Sequence, residues 1–115
     1  METSILVSTK KILGISADYT AFDLDIITHI NATLSTLTQL GVGPTAGYMI
    51  DDDLSKWEDF ISTNNPMLNM VKTYVFLKVK YLFDTPATPF LIDAVTKQIE
   101  EFEWRLNEFR EELIV

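Results

Sequence analysis

Apolar residues recur at steps of three and four positions along four segments of the chain, which is the spacing of an α-helix with one buried face. This pattern predicts helices over residues 3–13, 20–40, 67–83 and 89–113. Between the second and third of them no such period extends over a long segment, and only residues 54–61 are expected to form one or two helical turns. We therefore expect an all-α fold, a bundle of about four main helices with a short irregular or hairpin insertion and a long C-terminal helix.

The first two predicted helices carry end signals as well as apolar faces. Thr3 or Ser4 can cap the first helix and Thr20 the second, because hydroxyl side chains accept hydrogen bonds from the free N–H groups of a first turn. Gly14 and Gly41 stand where helices commonly end. The predicted buried faces are Ile5, Leu6, Thr9, Ile12 and Leu13 on the first helix, and Phe22, Ile26, Ile30, Leu34, Leu37 and Leu40 on the second.

The third predicted helix is apolar on almost every side, which is typical of the centre of a bundle. The last helix, which Thr88 can cap and Pro89 can open, has a heptad seam with polar residues around it. Lys97 and Arg105 are each spaced for an ion pair with Glu101. The seam predicted to face the core is Ile92, Val95, Ile99, Phe102, Leu106, Phe109 and Leu113.

Two apolar features lie outside these faces. The last helix is roughly 37 Å long, whereas a globule of this size is about 27 Å across, so we expect the helix to reach beyond its own core. Trp104 lies opposite the seam, where the same core cannot bury it. The insertion contains a short apolar segment around residues 48–50 that looks extended and could form an arm. We predict an interface between copies of the chain that includes Tyr48, Met49, Ile50, Trp104 and Phe109.

Charge narrows the possible functions. Nine Lys and Arg against seventeen Asp and Glu give a net charge of −8, which leaves no basic footprint for sequence-specific DNA binding. Asp51, Asp52 and Asp53 form an acidic cluster, but Lys56 and Ser62 stand where a calcium-binding EF-hand loop requires glycine and glutamate. We therefore expect the cluster either to cap a helix that begins at Leu54 or to line an exposed surface, and the overall charge is compatible with a surface that DNA passes without binding.

The chain lacks the groups that catalysis and metal binding require. It has no cysteine and a single histidine, His29, which has neither a second imidazole nor a thiolate to share a metal with. No cofactor, no metal and no enzyme activity is expected. The length predicts a single domain over residues 1–115, and neither a secretory signal nor an apolar run of roughly 18 residues is present. We expect a soluble protein with no membrane contact.

Six segments together resemble the head–tail connector (neck adaptor) proteins of long-tailed bacteriophages and prophages. They are KILGI at 11–15, FDLDII with HIN at 22–31, LTQLGVGP at 37–44, VKTYV with LKV at 71–79, LFD at 82–84 and FEWRLN at 102–107. Thr85 departs from the proline expected after Asp84 in this family, and the chain after Asn107 is longer than expected. The resemblance covers most of the sequence and contains no catalytic motif.

The resemblance implies a helical virion protein in the neck, made in the cytoplasm of the bacterial host. Such proteins form a ring, expected to be a dodecamer, beneath the portal protein. They extend the DNA exit tunnel, help to retain packaged DNA, and carry the next neck or tail-completion protein. Within this interpretation, Asp51, Asp52 and Asp53 are predicted to face the tunnel or the portal.

Three other interpretations of the sequence remain open. A tail-side completion protein belongs to the same biology. A small helical regulator that binds DNA would require a basic recognition helix, and a small hydrolase or metal enzyme would require ligands that this sequence does not contain.

Overall fold

Five α-helices and the loops between them form the part of the chain described by the computed structural model, which is residues 3–114, with side chains described for residues 3–108. The helices are α1 (Ile5–Ile12), α2 (Asp23–Gln39), α3 (Trp57–Phe60), α4 (Leu68–Phe83) and α5 (Pro89–Ile114). The described residues contain no β-strand, so the all-α prediction is confirmed.

Helix α1 begins and ends as its sequence predicts. The Ser4 hydroxyl oxygen accepts a hydrogen bond from the Val7 N–H at 3.2 Å, and the chain leaves the helix through Gly14. The predicted apolar face is wrong at one position, because Ile12 is half exposed. Ile12 lies at the margin of the buried face, and α1 ends there, at one end of the bundle.

The predicted N-terminal cap of α2 at Thr20 is wrong, because the helix begins three residues later, at Asp23. Phe22 precedes the first turn without a side-chain cap, and the Thr20 carbonyl accepts from the Asp23 N–H in a turn. At the other end Gly41 has a φ of 84°, and the N–H of Val42 donates back to the Leu37 carbonyl at 2.9 Å. This left-handed ending needs glycine and satisfies a carbonyl that the helix leaves free.

Helix α4 lies at the centre of the bundle, as its sequence predicts. It packs against α1, α2 and α5, whereas α2 and α5 hardly touch each other. The α4 side chains that are completely buried are Val71, Tyr74, Val75 and Val79, and the fully buried α2 side chains include Ile26, Ile30, Leu34 and Leu37. The α2–α4 contact is therefore the main part of the apolar core.

Helix α5 is about 39 Å long, close to the 44 Å longest dimension of the molecule. The Thr88 hydroxyl accepts from the Leu91 N–H, which confirms the predicted cap. Ile99 and Leu106 of the predicted seam are buried. The predicted Lys97–Glu101 ion pair is wrong, because Lys97 contacts Asp93 instead. The seam residues Phe109 and Leu113 lie outside the described side chains.

The insertion between α2 and α4 is irregular and forms no hairpin in the described residues. Its second half returns to the start of the chain, where the Ile5 N–H donates to the Ser55 carbonyl and the Trp57 N–H donates to the Thr3 carbonyl. Only one turn, α3, is helical in the region predicted to contain one or two turns. These contacts hold the insertion against α1.

Candidate interaction surfaces

The arm, residues 46–50, is attached to α2 by one side chain. The Asn31 amide nitrogen donates to the Ile50 carbonyl at 2.9 Å, and the Ile50 N–H donates to the Asn31 carbonyl oxygen at 2.8 Å. Asn31 thus pairs with both backbone groups of one residue, as a neighbouring strand would. The arm is therefore held at a defined position along α2.

The three arm residues predicted at an interface point in different directions. Ile50 is buried in the core of its own chain, and Tyr48 is half buried, with its ring 6.0 Å from that of Phe60. Met49 is 75% exposed. Of these three side chains, Met49 is therefore the one most available to a second molecule.

A groove of about 640 Å³ separates the arm from α2. Its walls are uncharged and mostly small, and they are formed by Asn31, Ala32, Ser35 and Thr38 of α2 and by Ala46, Gly47, Tyr48 and Met49 of the arm. Small side chains let another backbone approach closely. The arm and its groove therefore form one uncharged surface on the α2 side of the molecule.

The acidic cluster follows the arm directly. Asp51, Asp52 and Asp53 are all exposed, and none of them forms an ion pair with a described residue. The Asp52 carboxylate accepts from the Leu54 N–H at 2.9 Å, which fixes the turn. No group of three or more His, Cys, Asp or Glu side chains in the described residues could hold a metal ion.

The outer face of α5 carries Trp104, which is 64% exposed. Beside it, Arg105 and Glu101 form an exposed ion pair at 2.8 Å. On the inner face the Tyr74 hydroxyl donates to a Glu103 carboxylate oxygen at 2.7 Å, and the Lys78 ammonium lies 3.9 Å from the same oxygen. Burial and, to a smaller extent, the Glu103 carboxylate raise the pKa of Tyr74 well above its ordinary value.

The lone histidine lies on α2 and is not among the side chains that line the groove. His29 is half buried, and its ring forms no hydrogen bond or ion pair with a described residue. The structure therefore brings no partner for acid–base chemistry to it.

A buried lysine is the main feature that sequence reasoning missed. Lys10 is only 1% exposed, and its ammonium contacts the Asp23 carboxylate at 2.7 Å, the Tyr19 carbonyl at 2.7 Å and the Ala17 carbonyl at 3.1 Å. These contacts tie α1, the α1–α2 loop and the first turn of α2 together. At about 100° per residue, Lys10 lies roughly 100° from the centre of the predicted apolar face of α1, so the helical period alone does not indicate its burial.

A second missed feature is an apolar end, where α1 and α4 finish and α2 and α5 start. The aromatic ring of Phe22 lies 5.7 Å from that of Tyr19 and 5.5 Å from that of Phe83. Seven of the ten large apolar side chains that are exposed among the described residues belong to this end, namely Ile12, Tyr19, Phe22, Leu24, Leu82, Phe90 and Leu91. The exposed apolar surface of the described residues is therefore concentrated at one end of the bundle.

The sequence model of one family, described as phage connector protein, matches residues 5–112. Phage connectors are structural proteins of the virion that interact with other proteins of the head and tail. No curated protein and no solved structure matched the chain. In the described residues, no helix has the length and apolar character needed to span a membrane. The match agrees with the resemblance in the sequence segments, and the chain therefore belongs to the phage connector protein family and is a structural component of the phage particle.

Proposed function

We propose that the protein assembles with copies of itself into a ring beneath the portal, where it extends the DNA exit channel and joins the head to the tail. The observation that carries this proposal is the exposure of two large apolar side chains, Met49 and Trp104, on different sides of α4. Both belong to the surface predicted for contacts between copies.

A ring of identical subunits requires two different surfaces on each subunit, because every copy meets one neighbour on each side. The arm lies against α2, and Trp104 lies on α5. Since α4 packs against both α2 and α5, the two exposed side chains belong to different helical layers, which suits contacts with two different neighbours. This arrangement supports head-to-tail contacts, with Met49 and Tyr48 of one copy facing the α5 surface of the next.

The chemistry of both side chains suits such a contact. Tryptophan is enriched among the residues that dominate interface energies, because it covers a large area and loses few conformations on binding. Methionine adapts its shape to a neighbour. Phe109, which was also predicted at this interface, lies outside the described side chains.

The acidic cluster suits a position on the channel wall. Asp51, Asp52 and Asp53 are exposed, carry no ion pairs with described residues, and belong to a chain with a net charge of −8. Carboxylates on the wall would repel DNA phosphates, so DNA would pass without adhering to the protein. A position facing the portal is the other option, and charge reversal of all three aspartates is expected to reduce DNA retention in either case.

The stoichiometry and the neighbours come from the family resemblance. We propose a dodecameric ring in the neck, with the portal on one side and the next neck or tail-completion protein on the other. The protein is made in the host cytoplasm and joins the head there.

Native mass spectrometry of the protein, with and without the portal oligomer of the same phage, tests this proposal. The wild-type chain should form a ring, either alone or on the portal. Trp104→Ala should weaken that assembly at least tenfold while leaving the helical circular dichroism unchanged, because Trp104 is exposed in the single chain. Normal assembly of Trp104→Ala would remove this residue from the interface, and a wild-type chain that never binds the portal would contradict the function. Detection of the wild-type protein on finished tails, but not on tail-less heads, would instead favour a role as a tail-side completion protein.

A further inference from the structure

We propose that the groove between α2 and the arm is the binding pocket for the Trp104 side chain of a second copy of this chain, and that the Ser35 hydroxyl accepts the hydrogen bond of its indole N–H. The inference rests on the proposed function and deepens it, because it names the pocket on one copy and the side chain that fills it. Within one chain, Trp104 is 64% exposed, so its own groove does not hold it.

The groove lies in the uncharged part of the molecule. Charged residues make up 23% of the chain, yet residues 26–50 contain no Asp, Glu, Lys or Arg. All the residues that line the groove belong to this segment. Depletion of charged residues distinguishes the centre of a protein interface from the remaining surface, and Tyr, Met and Trp are enriched there. The composition of the groove is therefore that of an interface centre.

Charge also argues for the α5 face as the occupant. Glu100 and Glu108 lie one turn before and one turn after Trp104, and both are exposed. In a chain with a net charge of −8, most contacts between two copies bring carboxylates together, and like charges that face each other across an interface oppose binding. The uncharged walls of the groove avoid this repulsion. They can receive an acidic helix face that another acidic surface would repel.

The shape of the groove suits an indole. Its volume of about 640 Å³ lies within the range of roughly 300–1,000 Å³ that is typical of pockets for small ligands. Ala32, Ala46 and Gly47 form low walls that a flat ring can approach closely. Met49 lines the same groove and is 75% exposed, so its thioether can pack against the ring. A tryptophan that fills a pocket is a common dominant contact of protein interfaces.

A buried indole N–H needs an acceptor, and Ser35 is placed to provide one. Ser35 lines the groove, is exposed, and its hydroxyl forms no hydrogen bond with a described residue. The Thr38 hydroxyl, by contrast, already donates to the Leu34 carbonyl at 3.1 Å. The same pairing exists inside the chain, where the Trp57 indole N–H donates to the Ser8 hydroxyl at 2.9 Å.

Filling the groove tests the pocket. Ala32→Leu should weaken assembly at least tenfold in native mass spectrometry, because the added side chain occupies the space of the indole. The matched control is Ala87→Leu, at an exposed alanine that does not line the groove, and it should assemble as the wild type does. Both variants should keep the helical circular dichroism. Normal assembly of Ala32→Leu would overturn the pocket.

Two substitutions at Ser35 separate space from hydrogen bonding. Ser35→Leu should block assembly as Ala32→Leu does, and it serves as a second groove-filling variant if the first fails to fold. Ser35→Ala keeps the groove open and should weaken assembly only about two- to tenfold. Unchanged assembly of Ser35→Ala would overturn the role of its hydroxyl as the acceptor.

A mixing experiment tests the pairing of pocket and side chain. Ala32→Leu keeps Trp104 but has no open groove, and Trp104→Ala keeps the groove but has no indole. Neither should assemble alone. An equal mixture should form one-to-one pairs and nothing larger, because each pair contains a single usable pocket and a single indole. A mixture that forms rings, or that stays monomeric where the wild type assembles, would overturn the pairing.

Fluorine NMR of protein labelled with 5-fluorotryptophan distinguishes failure of this inference from failure of the proposed function. On assembly of the wild type, alone or on the unlabelled portal oligomer, the Trp104 signal should shift and lose its sensitivity to exchange of H2O for D2O. The signal of Trp57, which is already buried, should stay the same. Assembly with a Trp104 signal that remains sensitive to solvent would overturn the pocket alone. A wild-type chain that assembles neither alone nor on the portal would overturn the proposed function as well.

Discussion

The two tryptophans of this chain have opposite surroundings. Trp57 is 2% exposed, its indole N–H donates to the Ser8 hydroxyl at 2.9 Å, and its ring meets Phe76 edge-on at 5.7 Å. The Lys72 ammonium lies 5.8 Å from the same indole. Trp104 makes none of these kinds of contact with described residues, and most of its surface is exposed. The same residue type is buried and stabilises the single chain at one position, and is exposed to solvent at the other.

The largest expected effect separates the two tryptophans directly. Trp57→Ala should lower the free energy of unfolding by about 3–5 kcal/mol, because it leaves a cavity and removes the donor to Ser8. Trp104→Ala should change it by less than about 0.5 kcal/mol. Urea unfolding followed by circular dichroism measures both, since each variant lacks a different one of the two tryptophans and their fluorescence signals would not be comparable. Similar losses of unfolding free energy in the two variants would mean that Trp104 also stabilises the single chain.

A second change tests how tightly the surroundings of Trp57 are packed. Gly43 has a φ of 84°, and a Cβ at this position would lie 2.6 Å from two ring atoms of Phe60, three residues after Trp57. Gly43→Ala should cost about 2–4 kcal/mol, from backbone strain and the clash together. Gly14→Ala is the control. Gly14 has a φ of 79°, but a Cβ placed there would meet no atom within 4 Å, so only the backbone strain of about 1–2 kcal/mol is expected. Equal costs for the two variants in urea unfolding would mean that Phe60 moves aside freely.

The inner face of α5 provides a third, smaller effect. Tyr74 is completely buried, and burial and Glu103 raise its pKa above the ordinary value of about 10. The Tyr74 phenol therefore loses its proton at a lower pH in the unfolded chain than in the folded chain. The stabilisation from the protonated phenol is complete below pH of about 10 and declines above it.

The variant Tyr74→Phe checks this pH dependence. At pH of about 7 it should cost about 1 kcal/mol, because Glu103 loses a hydrogen bond but keeps contact with water and Lys78. Above pH of about 10 the stability of the variant should fall less steeply than that of the wild type, as measured by urea unfolding along a pH series. If the stabilities of the two proteins fell in parallel, the loss of stability at high pH would come from a group other than Tyr74.

The smallest expected effect is on the outer face of α5, beside Trp104. Arg105→Ala removes an ion pair with Glu101 in which both side chains are more than half exposed. The expected loss in the free energy of unfolding is below about 0.5 kcal/mol, and Lys97→Ala, which breaks the exposed pair with Asp93, should behave alike. A loss above about 1 kcal/mol would mean that this face already supports the single chain.

The sequence predicts the helices and the central position of α4 because burial of one face leaves a periodic trace. Ile26, Ile30 and Leu34 mark the buried side of α2 without any knowledge of their neighbours. Periodicity carries less information where two segments meet. The burial of Lys10 depends on Asp23 and on the carbonyls of a loop, and no local pattern announces those partners.

The exposure of side chains outside the core follows from the sequence only in part, for the same reason. Exposure of Trp104 follows from its place opposite a seam, within one helix. Burial of Ile50 does not, because it depends on Asn31, nineteen residues earlier. The apolar end is harder still to predict, since the ends of four helices and the α1–α2 loop compose it and each contributes only one or two side chains.

The pairing of Asn31 with the backbone of Ile50 also has an evolutionary consequence. It uses only main-chain atoms of the arm, so it holds the arm in place whatever side chains stand on either side. Positions 49 and 51–53 are exposed and can accept substitutions without displacing the arm. If the arm contacts a neighbouring subunit as proposed, mutation can change that contact while the position of the arm on α2 stays the same.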